Sequence, residues 1–345
     1  MATIKDIAEF SSFSIATVSR YLNNSGVVSK EAAKAIDAAI QELGYKPNYI
    51  AQSLVMQKTN VIGVLVPSLS LSFLASYVDG LEKTAAELGY TIILCNSHEN
   101  AKIEEKSLYL LQTRRVDGII AIPVSQDAEI YRKIAADVPV ILTLRKIEGL
   151  DVSSIMIDDS GGAYKVVEHL IEKGHSNIAF INGPKNLSTG KLRWEGAKQA
   201  MMDAGIEVIS EQIAFCSFTV DAAYEAASEI LSAESKPTAI FTANQILCIG
   251  VMKAISEKNL RIPEDISIVS FDGFEDFYGE SLVKPSITAN FNPVFNLGEL
   301  AAELVVEEIK IFSRKAQNKI NYSTTRHLSV TLEFRERDSV RRLQP

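Results

Sequence analysis

From residue 61 onward the chain alternates between short, almost continuous apolar runs and helical patterns, which leaves few folds open. "VIGVLVP" (61–67), "YTIILC" (90–95), "VDGIIAIP" (116–123), "VPVILT" (138–143) and "SSIMID" (153–158) form one series. "NIAFING" (177–183), "EQIAFCS" (211–217), "TAIFTAN" (238–244) and "DISIVSFDG" (265–273) repeat it. Between the runs, residues 74–88, 101–113, 162–173, 190–205, 221–233 and 246–258 carry helical spacing. Strands apolar on both sides belong in parallel sheets covered by helices on both faces. The runs are too many for one comfortable sheet, so two doubly wound parallel-sheet subdomains are expected. Ligands of such folds sit outside the carboxyl ends of the strands. Those ends carry Ser68, Asn96, Asn182, Asn244 and Asp272. Such residues also begin turns and cap helices. With Arg193 and nearby aromatics, their convergence points to a polar cleft for a small ligand.

Residues 1–60 follow another rhythm, helical without a β-rich run. Ile4, Ile7 and Ala8 fit a short helix with Thr3 as its N-cap, and "SSFS" (11–14) reads as a turn whose Ser14 caps the next helix. Ile15, Val18 and Leu22 recur at helical spacing in that helix. "NNSGVVS" (23–29) is a loop, and Ser29 caps a third helix with a stripe of Ala33, Ile36, Ile40 and Leu43, stopped by Gly44. Three short helices sharing a small core make an all-α helix-turn-helix unit. The outer face of the second helix is unusual, offering Ala16, Thr17, Ser19 and Arg20 where Glu, Lys and Gln are the common choice. Pro47 then opens "PNYIAQSLVMQKT", too short to be stable alone, since isolated helices below about 12–15 residues are marginal.

The formal net charge of −8 excludes a general binder of nucleic acid or membranes, so a polyanion must be met by a local patch. Cys95, Cys216 and Cys248 are far apart and form no CxxC, which argues against a disulfide framework or a zinc site and for buried thiols in a reducing compartment. "MATIKDIAEF" has no apolar h-region, and no run of about 18 apolar residues is present, so a cytoplasmic protein is expected. Reactive constellations are missing. His169 and His175 are not at metal-pair spacing, "SGGAYK" fits neither phosphate-loop pattern, and no GxSxG elbow occurs. His175 reads as settling a helix–strand turn. The expectation is no enzyme, no metal and no cofactor.

"TIKDIAEFSSFSIATVSRYLN", "LGYKPNYIAQSL", "KTNVIGVLVP", "VEHLIEKGHSNIAFINGP", "RWEG", "TANQILCIGVMKAI", "IPEDISIVSFDGF" and "EFRERDS" resemble, in order and over essentially the whole chain, the lactose/galactose repressor family. The resemblance implies a helix-turn-helix headpiece (1–46), a hinge helix and linker (47–60), and a periplasmic-binding-protein-like core (61–345). It implies an N-subdomain of about 61–157 and 288–320 and a C-subdomain of about 158–287 and 321–345, with crossovers near 158, 288 and 320. The implied function is a transcriptional repressor. It acts as a homodimer on a pseudopalindromic operator and is controlled by a sugar-like effector. Residues 15–22 become the recognition helix, with Arg20 able to contact a guanine bidentately and Ile15 and Ala16 able to touch thymine methyls. Thr3, Ser14, Thr17, Ser19, Asn23 and Asn48 join the implied DNA-binding set, and Leu54 matches a leucine wedged into the minor groove. Leu71, Phe73, Arg193, Phe218, Asn244, Asp272 and Asn292 match effector-binding positions. The hinge is expected to order on operator and to be the element that the effector biases.

Several residues depart from the family pattern. The turn usually reads Ala-Gly-Val-Ser, so Ser12 replaces a glycine; Gln52 replaces a common Arg; and Ser70-Leu71-Ser72-Phe73 replaces Ser-Asn-Pro-Phe. The first 60 residues hold six basic side chains against five acidic ones, only +1, which predicts modest phosphate affinity. Two alternatives share this core. In a regulator co-controlled by a phosphocarrier protein, basic residues on the helix after the last crossover would meet the partner, but Glu299, Glu303, Glu307 and Glu308 stand there. A transporter's solute-binding protein would have no use for residues 1–56.

Overall fold

The computed structural model describes residues 2–22, 26–45, 58–69, 72–274, 284–318 and 325–343. Two compact units are resolved, residues 1–59 and 60–345. Expectations for Asn23, Asn48, Leu54, Leu71 and the hinge at 47–57 lie outside the described residues.

Among its described residues the first unit has three helices: α1 (Ile4–Ser11), α2 (Ile15–Leu22) and α3 (Lys30–Leu43). Its caps are those read from the sequence. Thr3 Oγ1 accepts from Asp6 N at 3.4 Å while the Asp6 carboxylate accepts from Thr3 N at 2.7 Å. Ser14 Oγ accepts from Thr17 N, Ser29 Oγ accepts from Ala32 N, and Gly44 ends α3 at φ 56°. Ile7, Val18 and Ile36 are fully enclosed and form the core with Ala8, Ala32 and Ala39. The α3 stripe therefore runs through Ala32, not Ala33, which is only half-buried. Tyr21 Oη donates to Asp37 Oδ1 at 2.6 Å and ties α2 to α3.

Ser12 lies between α1 and α2 at φ 58°, ψ 27°. This left-handed conformation costs an L residue about 1–2 kcal/mol, which glycine avoids at some entropic cost. Ser12→Gly should therefore stabilise this unit by about 0.5–1 kcal/mol. Hydrogen exchange at the Val18 and Ile36 amides should slow about two- to fivefold; unchanged or faster exchange would show that the turn stores no such strain.

The second unit holds two six-stranded sheets. The first contains β1 (Val61–Val66), β2 (Thr91–Asn96), β3 (Gly118–Ala121), β4 (Val140–Thr143), β5 (Ser154–Ile157) and, from far downstream, β11 (His327–Val330), in the order β11-β5-β4-β3-β1-β2. All of its pairings are parallel. The second contains β6 (Ile178–Asn182), β7 (Ile213–Phe215), β8 (Ala239–Thr242), β9 (Ser267–Asp272), β10 (Thr288–Phe291) and β12 (Glu333–Arg335), in the order β12-β10-β9-β8-β6-β7. Only β10 and β12 pair antiparallel. Helices α4 (Ser72–Glu87), α5 (Ala101–Thr113), α6 (Ala128–Asp137), α7 (Asp159–Glu172), α8 (Ser188–Asp203), α9 (Val220–Ile230), α10 (Gln245–Glu257) and α11 (Val294–Asn318) connect the strands.

Two crossovers fall later than expected. Residues 288–291 pair with β9 of the second sheet, so the chain leaves that sheet only after Phe291. Residues 327–330 pair with β5 of the first sheet, so the return follows Val330 rather than 320. The backbone ladder decides both. Ser154 N donates to Arg326 O, and the Ser154 hydroxyl meets His327 Nδ1 at 2.9 Å. Helix α11 returns to the first lobe against α4, where close approach requires glycine on both helices. A Cβ at Gly80 would lie 2.2 Å from Phe295 O, and one at Gly298 would lie 2.1 Å from Tyr77 O. His175 is fully buried, and its ring bonds Thr238 Oγ1 and Arg341 O, so it ties the helix–strand turn to two remote segments rather than setting the turn itself.

Candidate functional site

In the first unit, the outer face of α2 is exposed. Ile15 is 46% exposed and absent from the small core, whereas Val18 at 0% anchors the helix. Ala16 and Arg20 are exposed, Thr17 and Ser19 half-buried. The Thr3 and Ser14 hydroxyls are both engaged in local bonds, Thr3 to Asp6 and Ser14 to Thr17. An exposed isoleucine and an exposed arginine on one short helix suit a groove that offers both methyl groups and base acceptors.

In the second unit, a cavity of about 720 Å³, counted to its open mouth, lies between the carboxyl ends of the two sheets. Six of the expected effector residues line it: Phe73, Arg193, Phe218, Asn244, Asp272 and Asn292. Of the strand-end residues, Ser68, Asn96 and Asn182 do not. Asn96 Oδ1 accepts from His98 N, a turn role. Asn182 is fully buried, and its amide has no partner among the described residues.

Arg193 organises the floor. From α8 its Nε donates to Asp159 Oδ1 at 2.7 Å, and its Nη1 donates to Ala243 O at 2.5 Å and to Asp272 Oδ2 at 3.2 Å. Its guanidinium lies 3.6 Å above the Phe271 ring. Asp159 opens α7 and is 4% exposed; burial pushes its carboxyl up to about 6, against the pull of Arg193. Burial also raises Asp272, again opposed by Arg193. Asn244 has two uses, since it lines the cavity while its Oδ1 caps α10 through Leu247 N at 2.9 Å. The capping role and the cleft role thus coexist in one side chain.

Sequence reasoning missed Thr189, Arg145 and Phe291, which also line the cavity. Arg145 lies two residues past β4, where the strand-end rule would have found it. The lobes touch across the cleft: Lys146 N donates to Ser188 Oγ at 3.1 Å, and the Arg145 guanidinium is 5.7 Å from the Phe218 ring centroid. Of the α11 carboxylates, Glu307 and Glu308 pair with Arg326, and Glu299 pairs with Lys83. Cys248 is buried, but Cys95 and Cys216 are only half-buried, at strand ends near the surface rather than in the core.

A helix-turn-helix unit followed by a two-lobed small-ligand fold defines a ligand-responsive transcriptional regulator. Residues 3–48 match the model of the bacterial regulatory proteins of the lacI family. Residues 59–337 match that of the periplasmic binding proteins and sugar binding domain of the LacI family. The chain belongs to the LacI family of DNA-binding transcriptional regulators. It is 35% identical to the transcriptional regulator RegA of Clostridium saccharobutylicum, covering 93% of this chain and 96% of that one. Identity to the repressor PurR of Serratia proteamaculans is 33%, covering 93% of each. A crystal structure of the lac repressor dimer bound to operator and the anti-inducer ONPF superposes with a TM-score of 0.84 at 25% identity, covering 99% of both chains. No described helix is long and apolar enough to cross a membrane.

A buried carboxyl raised to about 6, against about 3.9 in the unfolded chain, favours the folded state while protonated. That contribution is full below about pH 4 and is lost as pH rises through 6. Asp159→Asn, neutral at every pH, should therefore gain stability relative to the parent between pH 5 and pH 7.5, by about 1–3 kcal/mol. Urea midpoints of both proteins at the two pH values measure this; a shift in the parent's favour would mean that the carboxylate is worth more ionised beside Arg193.

Proposed function

We propose that the chain is a repressor that binds a pseudopalindromic operator as a homodimer through α2 and is controlled by a small sugar-like effector in the cavity. The observation that carries the reading is the pairing, in one chain, of an exposed Ile15–Ala16–Arg20 face with a cavity combining aromatic walls and buried hydrogen-bonding groups. Rings stack on Phe73 and Phe218, while Arg193, Asp272 and the two amides suit vicinal hydroxyls, which take and give paired hydrogen bonds. Relatives named as ribose operon repressors and as PurR support repression by this architecture. Asn23, Asn48 and Leu54 complete the proposed DNA contacts and Leu71 the proposed effector contacts.

The test begins with selection of duplex DNA from a random pool by the full chain. A recovered site with two-fold symmetry is expected. On that site, Arg20→Ala should lower the preference over random DNA roughly 5- to 150-fold, the loss of about 1–3 kcal/mol that one bidentate guanine contact supplies. Gel-shift titration at fixed salt reads the ratio. An unchanged preference removes α2 from recognition.

A further inference from the structure

The charged side chains around the cavity occur in closed sets. Arg145 is 5% exposed, and its Nη1 and Nη2 donate to Oε2 and Oε1 of Glu99 at 3.0 and 2.8 Å. Parallel N–H···O bonds of this kind are the fullest neutralisation a guanidinium receives from one carboxylate. Buried Glu104, held by Val124 N, Ser125 N and the Tyr131 hydroxyl, adds further negative potential at Arg145. Arg193 is met by Asp159 and Asp272. Two guanidiniums thus face three carboxylates in direct contact, and among the described residues no lysine or histidine lines the cavity.

Glu99 reaches Arg145 from a loop built for the purpose. His98 and Glu99 both have φ 52°, a left-handed backbone that L residues rarely adopt. Glu99 N donates to Pro67 O at 2.7 Å, which pins the loop to the end of β1. A second observation is independent of charge. Thr189 Oγ1 and Asn292 Oδ1 are enclosed, line the cavity and have no protein partner among the described residues. The Asn292 oxygen can only accept, so an occupant must donate to it. A sugar hydroxyl does so; the charged group of a carboxylate or of a phosphate monoester dianion has no proton to give. No side chain caps α8 at Ser188, but its orphan N–H groups carry only partial charge, which a hydroxyl oxygen also meets.

We infer that the Glu99–Arg145 pair makes this a cavity for an uncharged, hydroxyl-bearing effector, and that Glu99 is the residue that keeps anionic ligands out. The inference rests on the cavity being the effector site. An anion there would bury negative charge beside a surplus of carboxylates, with no uncommitted cation among the described lining residues to receive it.

Inorganic phosphate at constant ionic strength, with chloride as control, tests this by thermal shift and calorimetry on the full chain. The parent should show no phosphate-specific stabilisation. Glu99→Gln should release the buried guanidinium and bind phosphate at least tenfold more tightly than the parent. Adding Arg145→Gln should abolish that gain. Phosphate bound as tightly by the parent, or no gain in Glu99→Gln, overturns the inference. A measurement on the parent alone compares D-ribose with D-ribose 5-phosphate and D-glucose with D-glucose 6-phosphate. A phosphate ester that binds more tightly than its free sugar overturns the inference whatever the variant does. Loss of operator control by all ligands would count instead against the cavity as effector site and leave the phosphate result standing.

Discussion

The buried charge of Arg193 is the constraint around which the second lobe is arranged. A guanidinium that is 6% exposed persists only where its charge and donors are met, since stranding it costs several kcal/mol. Its partners come from the first turn of α7, from the residue after β8 and from the end of β9, with a ring of β9 beneath. Three elements must be in register for one side chain to be tolerated. The floor of the cleft is therefore fixed before any ligand arrives, with Asp272 and Asn244 already aimed by it and by the cap of α10.

The opposite wall is held differently. Arg145 is anchored within its own lobe by Glu99 and reaches the other lobe only through the Phe218 ring, while Lys146 N meets a serine hydroxyl. A backbone N–H on a serine hydroxyl and a guanidinium beside a ring are contacts of the kind that is exchanged rather than lost when lobes rotate.

Much of this was readable in advance. The strands 61–66, 118–121 and 239–242 announce themselves because parallel strands buried on both faces must be apolar throughout. Helix α6 escaped notice, as did β10, β11 and β12 as strands. "TANF", "HLSV" and "EFR" are short and mixed, and only their backbone pairing makes them strands. The six lining residues found in advance came from the resemblance and from strand-end positions. Arg145 was within reach of the strand-end rule, but its pairing was not legible, because Glu99 is 46 positions away in the chain and is brought near by a left-handed turn. Ile15 looked at home in a core stripe by spacing, yet it faces outward, because Val18, Tyr21 and Leu22 already fill the small space over α1 and α3.

The interleaving of the lobes has a consequence for synthesis. Strand β11, which covers the edge of β5 and its buried Ile155 and Ile157, is made more than 160 residues after it, and β12 completes the second sheet only at 333–335. Until the ribosome has released nearly the whole chain, both sheets carry an open edge lined with apolar side chains. Such edges recruit other strands, and pairings this distant in sequence form slowly. The nascent protein thus passes through a long interval in which neither sheet is complete, and a truncation before His327 would leave both sheets without a strand rather than one.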